Sequence, residues 1–77
     1  MNNLSMGILL PAAKTLEQKS SDAKRQRDNL LLTSDWTQLL DVPASTKDKW
    51  TAYRQALRDL SQQDSFPSQI IWPTTPV

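Results

Sequence analysis

The chain has no cysteine and no histidine, and its one glycine is Gly7. Each absence removes a class of function. Without cysteine there is no disulfide, and without both residues the usual structural zinc sets cannot form. Nucleophile-and-base arrangements that need an imidazole or a thiol are excluded for the same reason. A single glycine cannot build a phosphate-cradling loop. Paired carboxylates remain for acid-base chemistry, with Asp28, Asp35, Asp41 and Asp59 as candidates. A short chain has little interior in which to shift a carboxylate pKa, and aspartates at such spacings ordinarily cap helices or pair with surface Lys and Arg. No catalytic residue, no metal site and no cofactor is expected.

Charge of one sign is also lacking. Nine basic residues stand against eight acidic ones, which gives no large field for holding nucleic acid or an anionic membrane. The distribution is mildly uneven: residues 14 to 28 carry Lys14, Lys19, Lys24, Arg25 and Arg27 against Glu17, Asp22 and Asp28. Lys24-Arg25-Gln26-Arg27 could touch phosphate, with Trp36, Trp50, Tyr53 and Trp72 stacking on bases. Acids interleave that cluster, however, and the aromatics follow core spacing or sit beside prolines, so a solvated helix face is the better reading. Long hydrophobic runs are missing too. Nothing approaches the roughly 20 apolar residues of a membrane-crossing helix. The opening MNNLSMGILLPAA lacks a basic segment ahead of its short apolar run, which Gly7 and Pro11 interrupt. A soluble protein of the reducing cytosol, without nucleic-acid or membrane partner, is expected.

What is present favours helices. A chain of 77 residues fits one domain at most, and its single apolar core is barely sufficient, so a partner would add stability. Pro11 is placed to open a helix, and no Gly or Pro follows from Ala12 to Thr33. The stripe of this long helix is thin: Leu16, Ala23, Leu30 and Leu31 are interrupted by Ser20 and Arg27. Ser34 or Asp35 is suited to cap a short turn through Gln38, and Asp41-Val42-Pro43 then breaks the chain. Ser45 and Asp48 look like a capping box for a second helix reaching about Gln62. Its stripe, Trp50, Tyr53, Leu57 and Leu60, is the clearest amphipathic signal in the chain. Beyond it, Phe66-Pro67 and Ile70-Ile71-Trp72-Pro73 to Pro76 exclude a continuing helix and predict an extended arm. That arm would pack over the helices or add a strand to a neighbour's sheet edge.

The predicted fold is therefore mainly α, a helical hairpin of one long and one shorter helix with an extended Pro-rich C-terminal arm. Three tryptophans are many for so short a chain. Trp50 belongs to the core with Leu30, Leu31, Tyr53, Leu57 and Leu60. Trp36 and Trp72 either complete that core or serve as aromatic anchors at an interface. Interface candidates are Ile8, Leu9, Leu10, Leu16, Trp36, Arg54, Arg58, Ile70 and Trp72.

Several stretches together carry a resemblance: Arg27-Asp28-Asn29-Leu30-Leu31, Ser34-Asp35-Trp36-Thr37-Gln38, Asp41-Val42-Pro43, Trp50, the run from Tyr53 to Asp59, Phe66-Pro67 and Trp72-Pro73 with Pro76. Over Arg25 to Pro76 the chain resembles the phage tail assembly chaperone family. The family pattern usually has leucine-proline-aspartate where this chain has Leu39-Leu40-Asp41, which makes the turn less rigid. Residues 1–24 are accordingly read as an attachment segment with the start of the long helix, and residues 25–77 as the family-like domain. The resemblance implies packing roles for Leu30, Leu31, Trp36, Trp50, Tyr53, Leu57 and Trp72, polar clamps at Asp35, Arg54, Arg58 and Asp59, and neither a catalytic residue nor a cofactor.

The expected function is binding. The first expectation is a structural component of a phage tail, baseplate or tail fibre, assembled in the host cytoplasm and kept in the virion. Its partners would be other tail, baseplate or tail-fibre proteins, with room for several copies. The rival is a tail-fibre assembly chaperone that leaves. A small nucleic-acid-binding or regulatory protein is the third. Ile8, Leu9 and Leu10 precede the helix outside the resemblance, so deleting Met1 to Ala13 is predicted to leave the circular dichroism spectrum helical and to abolish partner binding. Full affinity in the truncated protein would remove these residues from the interface.

Overall fold

The first helix begins where its free N–H groups find side-chain acceptors. Thr15 accepts a hydrogen bond from the Gln18 backbone N–H at 3.1 Å, and the Gln18 side chain accepts from Thr15 N–H at 2.9 Å, a closed capping box. Helix α1 then runs from Leu16 to Thr33 in the computed structural model, which describes residues 13–76. The signal at Thr15 and Gln18 sets the start, not Pro11, which lies outside the described residues. α1 continues unbroken through Lys24 and Arg25, in keeping with a long helix that begins before residue 25.

A 3-10 turn, Asp35–Gln38, follows α1, and helix α2 occupies Ala44–Arg58. The Ser45-Asp48 capping box does not form. α2 starts at Ala44 directly behind Pro43, so Ser45 already lies inside the first turn, where its hydroxyl cannot serve as an N-cap. The second helix also ends sooner than expected. It is α-helical to Arg58 and tightens to a 3-10 turn over Leu60–Gln62, with Gln62 N–H donating to Asp59 O at 2.8 Å. Two antiparallel-capable helices joined by ten residues thus form the hairpin, and no strand occurs among the described residues.

The core is small. Ala23, Tyr53, Leu57 and Leu60 are its buried hydrophobic residues, and Leu57 is 0% exposed. Tyr53, Leu57 and Leu60 lie on the stripe read from the sequence, whereas Leu30, Leu31 and Trp50 are only half-buried. Trp50 is therefore not the centre. It stands at the edge of the core in an aromatic chain, its ring centroid 5.8 Å from Trp36 and 5.4 Å from Tyr53 in an edge-to-face arrangement. Arg27, the charge on the α1 stripe, is tolerated because its stem is covered while its head pairs with Asp28.

After Gln62 the chain passes through turns, and from Ile70 to Pro76 it is neither helix nor strand. The Gln63 amide holds this segment by its backbone, donating to Ile71 O at 2.8 Å and accepting from Ile71 N–H at 2.9 Å. Pro67, Ser68, Ile70 and Trp72 border a shallow groove whose other wall is α1 around Ala23.

These burial differences set an order of stability. Leu57→Ala leaves a cavity in the dry centre and is expected to cost about 2 to 5 kcal/mol. Trp50→Ala, at the half-exposed edge, is expected to cost about 1 to 2 kcal/mol. Urea denaturation of the two variants checks the order, and a larger loss for Trp50 would move the core centre back to the aromatic chain.

Candidate functional site

The end of α1 carries a chemical demand that its own sequence does not meet. The last carbonyls of a helix lack intrahelical donors and carry partial negative charge, and α1 has no basic residue in its last turn. Ser34 supplies part of what is missing. Its N–H reaches Leu30 O and Leu31 O at 3.2 Å each, and its hydroxyl donates to Leu30 O at 2.7 Å. Arg54 supplies the rest from α2. Its Nη1 donates to Leu31 O and to Ser34 Oγ, both at 2.7 Å, and its Nη2 donates to Asp35 Oδ1 at 2.8 Å.

Arg54, named both as an interface candidate and as a polar clamp, is 7% exposed, with its guanidinium spent on the neighbouring helix end. Arginine suits the position because its planar fork reaches a carbonyl, a hydroxyl and a carboxylate at once. Thr37 completes the joint. It is fully buried and satisfied by donating to Ser34 O at 2.7 Å. Of the other residues implied as polar clamps, Asp35 takes part in this joint, Asp59 accepts from Gln55 at 3.1 Å, and Arg58 is exposed without an ion pair among the described residues.

With its polar groups turned inward, the joint leaves apolar side chains outside. Leu32, Trp36 and Leu39 are each more than half exposed, and Leu40 is 97% exposed. These four lie within nine residues around the end of α1 and the turn after it, and form the tip of the hairpin. Trp36 was expected either in the core or at an interface. One side of its ring stands against Trp50, and 53% of its surface is open. Leu39 and Leu40 were missed. The available signal was two adjacent leucines between Gln38 and the Asp41-Val42-Pro43 break, where no helical face exists to bury both.

The remaining candidates are dispersed. Leu16 is exposed at the opposite end of α1, Ile70 and Trp72 are half-buried along the groove against α1, and Ile8, Leu9 and Leu10 lie outside the described residues. Ile71, not Ile70, is the exposed member of its pair. Near Leu16 the Lys14 ammonium donates to Asp22, and Arg25 pairs with the same carboxylate at 3.4 Å. The Lys14 hydrogen bond holds the Asp22 carboxyl below the usual carboxylate range; partial loss of hydration opposes this, and the charges of Lys14 and Arg25 add to it. Such solvated pairs are surface contacts that stabilise little. Among the described residues no group of three or more acidic side chains could hold a metal, and no helix is long and apolar enough to cross a membrane.

Comparison with known proteins yields one match. A family model described as phage tail assembly chaperone protein covers residues 20–77, three quarters of the chain, and so takes in most of α1, the joint, the tip and α2. No curated protein and no solved structure matches.

The joint predicts unequal effects from its two charges. Arg54→Ala strips the end of α1 of its cation and is expected to cost about 2 to 3 kcal/mol. Asp35→Asn removes a carboxylate that is 59% exposed and is expected to cost no more than about 1 kcal/mol. Chemical denaturation of both variants measures the difference, and equal losses would show that the ion pair outweighs the carbonyl capping.

Proposed function

The chain belongs to the phage tail assembly chaperone family, and from this premise we propose that its role in phage tail assembly is performed by binding and not by catalysis. The observation that carries the reading is the apolar tip. With four buried hydrophobic residues among those described, the chain exposes Leu32, Trp36, Leu39 and Leu40 around the end of α1 and the turn after it. Covering a leucine that is otherwise in water contributes about 1.5 to 3 kcal/mol, so a second protein seated on the tip supplies burial that the small core lacks. The partner on this reading is another tail, baseplate or tail-fibre protein.

Duration of contact separates two versions. Lasting subunit contacts are more hydrophobic than transient ones, and release from the partner would return all four tip side chains to water. This favours a component that stays in the virion tail. The family's description as a chaperone favours the other version, in which the protein dissociates once the partner is assembled. Of the four carboxylates considered for catalysis, Asp28 and Asp35 are engaged in ion pairs with Arg27 and Arg54, and Asp59 accepts from Gln55, so the reading rests on binding.

Two measurements test the proposal. Leu39→Ser combined with Leu40→Ser should change folding stability by no more than about 1 kcal/mol, since both side chains are already in water, yet abolish co-purification with tail proteins from infected cells. Retained co-purification would remove the tip from the interface. Mass spectrometry of purified infectious particles should find peptides of this chain in fixed proportion to known tail proteins. Their absence from particles, with the protein abundant in the lysate, would establish the departing chaperone instead.

A further inference from the structure

A second apolar surface lies away from the tip. α1 presents the small side chain of Ala23 opposite Pro67, Ile70 and Trp72, and the gap between them is a groove of about 280 Å³. That is nearly twice the roughly 150 Å³ of an apolar cavity that holds a benzene ring, so two branched aliphatic side chains fit. Pro67, Ile70 and Trp72 are each half-buried, and each keeps surface that the described residues do not cover. The rim is polar: Lys14 and Asp22 pair with one another, Lys19 adds an aliphatic stem, and Gln26 stands exposed beside them.

Lys14 also fixes where the chain arrives. It is part of the groove's wall, and residues 1–12, which lie outside the described residues, join it through Ala13. Ile8-Leu9-Leu10-Pro11 is the apolar run of that segment, and no side chain from Met1 to Ala12 is charged. Extended chain covers about 3.5 Å per residue, so Leu10, four residues from Lys14, reaches about 14 Å. Ala23 stands eight residues beyond the Thr15 cap, about 12 Å along α1. The reach is therefore sufficient, and Ile8 has about 7 Å more. Pro11 biases Leu10 towards extended backbone, in which successive side chains face opposite sides.

We propose that Ile8 to Pro11 folds back into this groove on its own chain, with Ile8 and Leu10 turned in against Ala23, Pro67, Ile70 and Trp72. Leu9 then faces outward, open to the partner attachment expected of this segment. The occupant is the chain's own segment because so short a tether gives it an effective concentration of about millimolar, above that of a second copy at ordinary protein concentrations. Extended backbone also needs donors and acceptors, and this chain shows how a glutamine supplies both: the Gln63 amide holds Ile71 by its N–H and its carbonyl. Gln26 offers the same two groups on the groove's rim. The proposal is independent of the tip and of the partner seated there.

Engineered cysteines test this in the full chain, which has none of its own. Leu10→Cys, which keeps a small apolar side chain in the segment, is combined with Gln26→Cys on the groove's rim. The control pairs it with Lys24→Cys, two residues away and so on another side of α1. Mild oxidation is expected to close the groove pair within one chain at least roughly tenfold faster than the control pair. Adding Ile8→Ser should bring the groove rate down to that of the control, since it removes apolar contact without touching the folded part. Each variant should keep the circular dichroism spectrum of the parent. In the unsubstituted protein, nuclear Overhauser contacts are expected between methyl groups of Ile8 or Leu10 and the Trp72 ring. Equal rates for the two pairs, a groove rate indifferent to Ile8→Ser, or absence of those contacts overturns the proposal. Cross-links at the groove pair that join two chains overturn it in favour of a second copy as the occupant.

Discussion

Arg54 on the end of α1 is the contact on which the hairpin depends. A helix terminus with unsatisfied carbonyls and no cation of its own would stay hydrated, and hydration would hold α2 away from it. The Arg54 guanidinium removes that need by donating to Leu31 O, Ser34 Oγ and Asp35 Oδ1 together. α2 is thereby pinned at one point by polar contacts and along its length by Tyr53, Leu57 and Leu60. The polar joint supplies direction, and the apolar stripe supplies most of the burial. Neither suffices alone in a core of this size.

The tip is the consequence of that arrangement. Ser34, Arg54 and Thr37 occupy the inside of the bend, where apolar side chains would otherwise have packed, and Leu32, Leu39 and Leu40 are left on the outside. Trp36 stands between the two, touching Trp50 while offering its other surface to solvent. A protein of minimal size meets two demands here with one piece of chain. The residues that close the hairpin also hold the apolar surface in place, so rigidity of the site comes from the joint and not from a larger domain behind it.

Legibility in the sequence followed the range of the physics involved. The α2 stripe was readable because helical periodicity is local: Tyr53, Leu57 and Leu60 repeat at helix spacing whatever surrounds them. Thr15 with Gln18 was equally local, and the start of α1 was misplaced only because Pro11 offered a competing signal. Ser45 with Asp48 shows the reverse case, a capping pattern defeated by Pro43, which starts the helix two residues too early for it. Arg54 could not be resolved in this way. An arginine off the apolar stripe reads equally well as a solvated charge, an interface residue or a clamp, and the choice depends on a carbonyl 23 residues away.

By itself the sequence determined the two helices, the break between them, the lack of the residue types that common catalytic and metal sites need, and the family to which the order of its motifs belongs. Those features rest on backbone preferences and side-chain types, which act over a few residues. Only the tertiary structure decided that Arg54 is buried, that Trp50 is an edge and not a centre, and that Leu39 and Leu40 stand in water. Each of these depends on which surface of one helix meets which end of the other. That pairing follows from satisfying α1's last carbonyls, and no local pattern along the chain records it.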